Sequence, residues 1–236
     1  MPFDHEAKRQ MKDVPVKLEQ DVVLRPVLEL EPGSFANMDS GLFELSVPSG
    51  SEAYWRACLK EAGITGLDPI REGSWFVFAD ALTDKAVLAA VLDAHLEEEG
   101  IPDDLEEIGA FTGGFALIHA GQLVLEPTCC GDLGNLYEWA EAVNHSDDTP
   151  ADLWIGHPWL SVWLDEGWLY IKEQQEYGLP TDPRTICLRP AQLQEAVQRA
   201  ESFLEQFSGR LEPVVRSRAD AESSRTSAIC SLLLGR

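Results

Sequence analysis

Three apolar runs of strand length, Leu153–Ile155, Leu160–Leu164 and Trp168–Ile171, are joined by Gly156-His157-Pro158 and Asp165-Glu166-Gly167. No other feature of the chain constrains its fold as tightly. Asp-Glu-Gly is hairpin chemistry. A second hairpin signal lies upstream, where Ala120-Gly121 separates the apolar runs Phe115–Ile118 and Leu123–Leu125. Around these hairpins strands and helices mix, with no repeated strand–helix–strand period and no repeat of solenoid length. The pattern predicts an α+β fold, with helices packed on a mainly antiparallel sheet.

The remaining elements are read in the same way. Asp21–Glu31 carries Val22, Leu24, Val27, Leu28 and Leu30, with Pro26 interrupting, which predicts an edge strand or a bend. Gly41–Val47 alternates as a strand does. Ser51 is the expected N-cap of a helix ending near Gly63, with Trp55, Cys58, Leu59 and Ala62 on one face. Ser74–Ala79 reads as a buried strand. Thr83 is expected to cap a helix whose stripe holds Val87, Leu88, Val91, Leu92 and His95, the histidine as a boundary residue with a satisfied ring. Asp132 caps a helix from Leu133 to about Asn144, with Leu133, Leu136, Tyr137, Ala140 and Val143 inward. Tyr177–Pro183 is a loop, Thr185–Leu188 a short strand, and Pro190 opens a last helix that Gly209 closes. The expected organisation is one body over residues 19–209, a flexible N-terminal arm over 1–18, and a flexible C-terminal tail over 210–236 with a short apolar hook.

Charge is the strongest global signal. The formal net charge is −23 over 236 residues. Nine of the 18 basic residues but only six of the 41 acids lie outside Leu18–Gly209, so the body is more acidic than the whole. Such a body repels nucleic acid and anionic lipid and attracts basic partners. No apolar run approaches the roughly 18–20 residues that span a bilayer. The N-terminus has no apolar stretch of the secretory type. Five cysteines, an odd number, are then read as reduced thiols in a cytoplasmic protein.

Glu126–Trp168 concentrates the chemistry: two of five cysteines, two of five histidines and five of seven tryptophans. It supports three readings. Cys129, Cys130, Asp132, His119, His145 and His157 are possible metal ligands, but no pair of cysteines shows the usual two-residue gap, and adjacent cysteines in extended backbone point to opposite sides. The expectation is no metal and no cofactor. A catalytic reading pairs Cys130, just before a helix N-terminus, with His157 as base and Asp132 orienting the turn; its plain counterpart is two small residues filling a tight turn. A recognition reading uses Trp159 and Trp163, which share one face of an extended Leu160–Leu164, beside Asp165 and Glu166. The alternative is that helices cover both sheet faces. The link Gly156–Trp159 is expected to pack on Thr128–Asp132, with the His157 ring bonded to a backbone carbonyl or to Asp132 in a structural role.

The order of a glycine-containing apolar hairpin (TGGFALIHAGQLVLEP), a short turn, a tryptophan-bearing helix (LGNLYEWAEAV), a strand pair and a terminal helix (AESFLEQF) resembles the SUKH superfamily over roughly Gly109–Ser208. CCGDL, WIGHPW and the N-terminal hundred residues lie outside that pattern. Many members of this α+β superfamily look like bacterial immunity proteins against nuclease toxins. The resemblance implies an acidic binding protein without catalysis. The expected function is therefore an acidic, immunity-type protein that binds a basic protein partner such as a nuclease toxin, with no nucleic acid and no membrane as partner. The expected binding residues are Glu97, Glu98, Glu99, Asp103, Asp104, Trp159, Trp163, Asp165 and Glu166. The rivals are a cysteine-dependent enzyme using Cys130 and His157, and a structural or metal-binding protein.

Overall fold

The computed structural model describes residues 15–36, 38–96, 101–174, 184–219 and 222–236. Among these residues nine strands form two sheets. In the four-stranded sheet β2 (Val22–Glu29) lies between β3 (Phe76–Phe78) and β4 (Gly113–His119), and β5 (Gln122–Leu125) flanks β4. All its pairs are antiparallel. The five-stranded sheet runs β1 (Val16–Lys17), β9 (Thr185–Leu188), β8 (Trp168–Glu173), β7 (Leu160–Asp165), β6 (Ala151–Leu153). Its β1–β9 pair is parallel and the others are antiparallel. Five α-helices accompany them: α1 (Pro48–Glu61), α2 (Lys85–His95), α3 (Leu136–Asn144), α4 (Pro190–Ala219) and α5 (Ser223–Leu233). The class is α+β, as the hairpins required, but with two sheets where the sequence suggested one. The turn after Glu126 and then α3 carry the chain out of the first sheet before β6 opens the second. No helix of the described residues is long and apolar enough to cross a membrane.

Both hairpins turn on two successive residues of positive φ, Ala120 and Gly121 (50° and 77°) and Glu166 and Gly167 (47° and 74°). That conformation follows the right-handed twist of the flanking strands. Pro26 is accommodated because β3 reaches only Val27–Glu29, so at Pro26 β2 has β4 alone beside it. One buried cluster runs through both sheets and α4: Leu24, Leu28, Phe115 and Leu117 from the first sheet, Leu153, Val162, Leu169 and Ile171 from the second, and Leu193, Leu204 and Phe207 from the helix. A smaller cluster of Val27, Phe76 and Ala116 covers the opposite face of the first sheet.

Several expectations are corrected. Gly41–Val47 is not a strand. The Asp39 carboxylate accepts a hydrogen bond from the Gly41 amide and winds Ser40–Leu42 into a 3-10 turn, and α1 starts at Pro48 rather than after Ser51. Leu42 and Leu45 are exposed, so the alternation served no buried face. Asp84, not Thr83, caps α2. Trp139 fills the core side of α3, while Tyr137 is 64% exposed.

The largest correction is at the C-terminus. Helix α4 passes through Gly209 and Pro213 to Ala219, because the apolar spacing continues through the buried Leu211, Val214 and Val215. Pro213 removes the donor that would serve the Gly209 carbonyl. The tail then forms α5, burying Ile229, Cys230, Leu233 and Leu234. The Phe111 amide donates to the Leu233 carbonyl, and Arg225 donates to the carbonyls of Pro102 and Asp103. At the other end Val16 and Lys17 pair with β9 and Leu18 is buried, so residues 16–18, expected in a flexible arm, belong to the sheet. Glu97, Glu98, Glu99 and the loop Tyr177–Pro183 lie outside the described residues.

Candidate functional site

The two segments of Glu126–Trp168 that carry Cys129 and His157 meet at the junction of the two sheets. Cys129 and His157 form an antiparallel bridge. The Thr128 amide donates to the His157 carbonyl (2.6 Å), the His157 amide donates to the Cys129 carbonyl (3.0 Å), and the Thr128 hydroxyl adds a bond to the same His157 carbonyl (3.0 Å). So close an approach requires glycine. A Cβ on Gly156, at φ 92°, would lie 2.3 Å from the Cys129 oxygen, and one on Gly131 would lie 2.7 Å from the Ile155 oxygen. The following turn is fixed by a reciprocal cap: Asp132 accepts from the Gly134 amide, and Asn135 accepts from the Asp132 amide. The peptide His157–Pro158 is cis.

This clamp brings three donor atoms together. Cys129 Sγ lies 3.3 Å from His157 Nδ1, and Cys130 Sγ lies 3.3 Å from Cys129 Sγ. All three atoms fall within 4.8 Å of one another. The argument that adjacent cysteines diverge assumed extended backbone. Cys130 instead has φ 62°, which turns its side chain to the same side as that of Cys129. The link packs on the turn as expected, and the ring's Nδ1 meets the Cys129 sulfur. The sulfur nearest the imidazole belongs to Cys129, a residue the catalytic reading had set aside in favour of Cys130. Cys129 and His157 are half-buried and Cys130 is exposed.

An aromatic face adjoins the junction. Along β7 and β8, Leu160, Val162, Leu169 and Ile171 point into the core, which leaves Trp159, Ser161, Trp163, Trp168 and Tyr170 on the other face. Trp159 is 40% exposed and meets Trp154 edge to face at 4.6 Å; Trp154 also contacts the His157 ring at 5.6 Å. Trp163 stacks on Tyr170 at 5.2 Å, and Arg189 and Lys17 cover Trp168 at 3.8 and 4.8 Å. Asp165 and Glu166 are exposed on the hairpin at its end, and Asp147, Asp148 and Asp152 are exposed nearby in sequence. Partial burial first, then the neighbouring Cys187, Asp165 and Glu166, raise the Tyr170 phenol above its ordinary value. The cross-strand partnership of Trp163 with Tyr170 follows from a two-residue turn at Glu166-Gly167, one residue shorter than the connection read from the sequence; the roles of Trp154, Trp168 and Cys129 were not legible there.

Asp103 and Asp104 stand apart from this face. They are exposed on the turn before β4, where Asp104 caps Leu105–Glu107 and Arg225 of α5 holds the Asp103 carbonyl. The expected binding residues that are described are thus divided between two places. His95 takes the boundary role expected of it: its Nε2 pairs with the Gly109 carbonyl at 3.1 Å, its ring packs on Phe111, and burial lowers its pKa.

Fold and site together define an acidic two-sheet α+β protein with a thiol–imidazole junction and an aromatic outer sheet face. No protein-family model, curated protein or solved structure matches the chain.

Proposed function

We propose that this chain is an acidic binding protein of the immunity type, whose partner is a basic protein such as a nuclease toxin, docked on the outer face of the five-stranded sheet. The observation that carries the reading is the exposed Trp159 beside the stacked Trp163–Tyr170 pair, bordered by Asp165 and Glu166 in a chain of net charge −23. Rigid aromatics supply the desolvated centre of an interface, and the acidic field speeds encounter with a basic surface. The resemblance of residues 109–208 to the SUKH superfamily supports the same class. The net charge of −23 disfavours nucleic acid and anionic membranes as partners.

The test is capture of partners from the native host at low and high salt, followed by binding kinetics. Trp159→Ala and Trp163→Ala each weaken binding, mainly through faster dissociation, by at least about 2 kcal/mol if they are hot spots. Asp165→Asn with Glu166→Gln slows association and flattens its salt dependence. A captured basic protein whose affinity is unchanged in both tryptophan variants would remove this face from the interface.

A further inference from the structure

We propose that Cys129 Sγ, Cys130 Sγ and His157 Nδ1 supply three ligands of a site for zinc(II). The donors already converge: both nearest separations are 3.3 Å, and all three atoms lie within 4.8 Å. A tetrahedral zinc with bonds of about 2.3 Å to sulfur and about 2.0 Å to nitrogen spaces its donors by about 3.5–3.8 Å. To reach that spacing the two sulfurs part by about 0.5 Å while the sulfur of the exposed Cys130 closes on His157 Nδ1, which lies within 4.8 Å of it.

The backbone is built for this convergence. Two short hydrogen bonds between the segments fix Cys129 against His157, and Gly156 and Gly131 permit the approach. The left-handed Cys130 turns two sequence-adjacent thiols into a chelating pair. Two thiolates and one imidazole are soft to borderline donors, which selects against calcium and magnesium. On binding, both thiols release their protons to solvent. The two thiolates then neutralise the dication, and neutral His157 presents its Nδ1 lone pair. The site is independent of the partner-binding reading, since it requires no partner.

The experiment uses the full chain, reduced and handled without oxygen. Zinc is titrated in competition with a chromophoric chelator, and cobalt(II) serves as the spectroscopic probe. The expected result is about one ion per chain, with cobalt giving the sulfur-to-metal charge-transfer bands and intense visible bands of a tetrahedral thiolate site. Cys130→Ser and His157→Gln each weaken zinc binding by more than the roughly 10–100-fold that follows loss of an outer partner. Cys130 is exposed, so C130S retains the fold and keeps the test decisive should H157Q unfold. Absence of zinc and cobalt uptake, uptake of copper(I) alone, or zinc affinity unchanged in C130S would each overturn the proposal. So would a purified chain 2 Da lighter than its sequence that, once reduced, still takes up no metal: the thiol pair would then be a redox element and not a metal site.

Discussion

Gly156 shows how much of the junction depends on single residues. At φ 92° it occupies a conformation closed to side-chain-bearing residues, and an added Cβ would strike the Cys129 carbonyl. Gly156→Ala should therefore lower stability by roughly 2–3 kcal/mol or more in urea unfolding. His157→Ala removes the Cys129 contact and the packing on Trp154, and should cost roughly 1–3 kcal/mol in metal-free protein. A melting temperature unchanged in both variants would show that the two segments are held by other contacts. His95 supplies a pH test. Burial lowers its folded-state pKa below the ordinary 6.5, so the unfolded chain takes up the proton first. Its contribution is fully present above about pH 6.5 and is lost as pH falls from there towards the lower folded value. His95→Gln should flatten that part of the stability-versus-pH curve; an identical slope in the variant would assign the dependence to other groups. At this scale the sequence showed that the link would meet the turn, because Gly, Pro and paired cysteines are local backbone signals. It did not show which sulfur the ring would meet, since that depends on the φ of Cys130, and nothing in CCGDL dictates a positive value.

Helix α5 is the element whose behaviour departs most from its sequence. Its serine- and arginine-rich composition resembles that of a flexible tail, and its three buried apolar positions, Ile229, Cys230 and Leu233, are too few to hold a helix alone. Tertiary packing supplies the rest. Leu233 and Leu234 are buried, the Phe111 amide donates to Leu233, and a Cβ on Gly235 would lie 2.3 Å from Gly134 Cα. The burial of Cys230, with a smaller effect of Glu212, pushes its thiol up to about 11. Cys230 should thus resist alkylation near neutral pH until the helix detaches, whereas the exposed Cys130 should label in the metal-free native state; mass spectrometry of the alkylated peptides separates the two. Leu233→Ala should cost about 2–5 kcal/mol. Unchanged stability in that variant would mean that α5 only rests on the surface. The elements that were legible carry their own signals: the two hairpins in their turn residues, the 3-10 turn that leads into α3 in its Asp132 cap, α1 in its Trp55, Cys58, Leu59 face. The unread ones are decided by distant contacts. Gly209 looks like a helix stop, yet the burial of Leu211, Val214 and Val215 against the body outweighs a glycine's propensity cost of about 1 kcal/mol. Gly41–Val47 alternates as a strand should, but among the described residues no strand pairs with it.

The molecule as a whole combines two sheets with one shared interior. Two separate sheets in a chain of 236 residues could have belonged to two domains meeting near Pro102, each with its own core. The packing argues otherwise. A single apolar cluster runs from Leu24, Phe115 and Leu117 of the first sheet through Leu193, Leu204 and Phe207 of α4 to Leu153, Val162 and Ile171 of the second. Polar ties repeat the connection: Arg199 donates to the Val22 carbonyl, Gln192 to the carbonyls of Leu18 and Gln20, and Arg218 pairs with Asp93 through two hydrogen bonds. The exposed Arg218–Asp93 pair adds little stability by itself. Removal of the cluster from either sheet would leave α4 with an uncovered apolar face, so neither half is expected to persist without the other. Urea unfolding should therefore be one transition, with tryptophan fluorescence, which reports mainly on the second sheet and its junction, coinciding with far-ultraviolet circular dichroism, which reports on the helices. Leu204→Ala on α4 should shift both signals together by about 2–5 kcal/mol. Separate midpoints, or rapid proteolysis near Pro102 into two stable fragments, would show two folding units and would confine the effect of Leu204 to one of them.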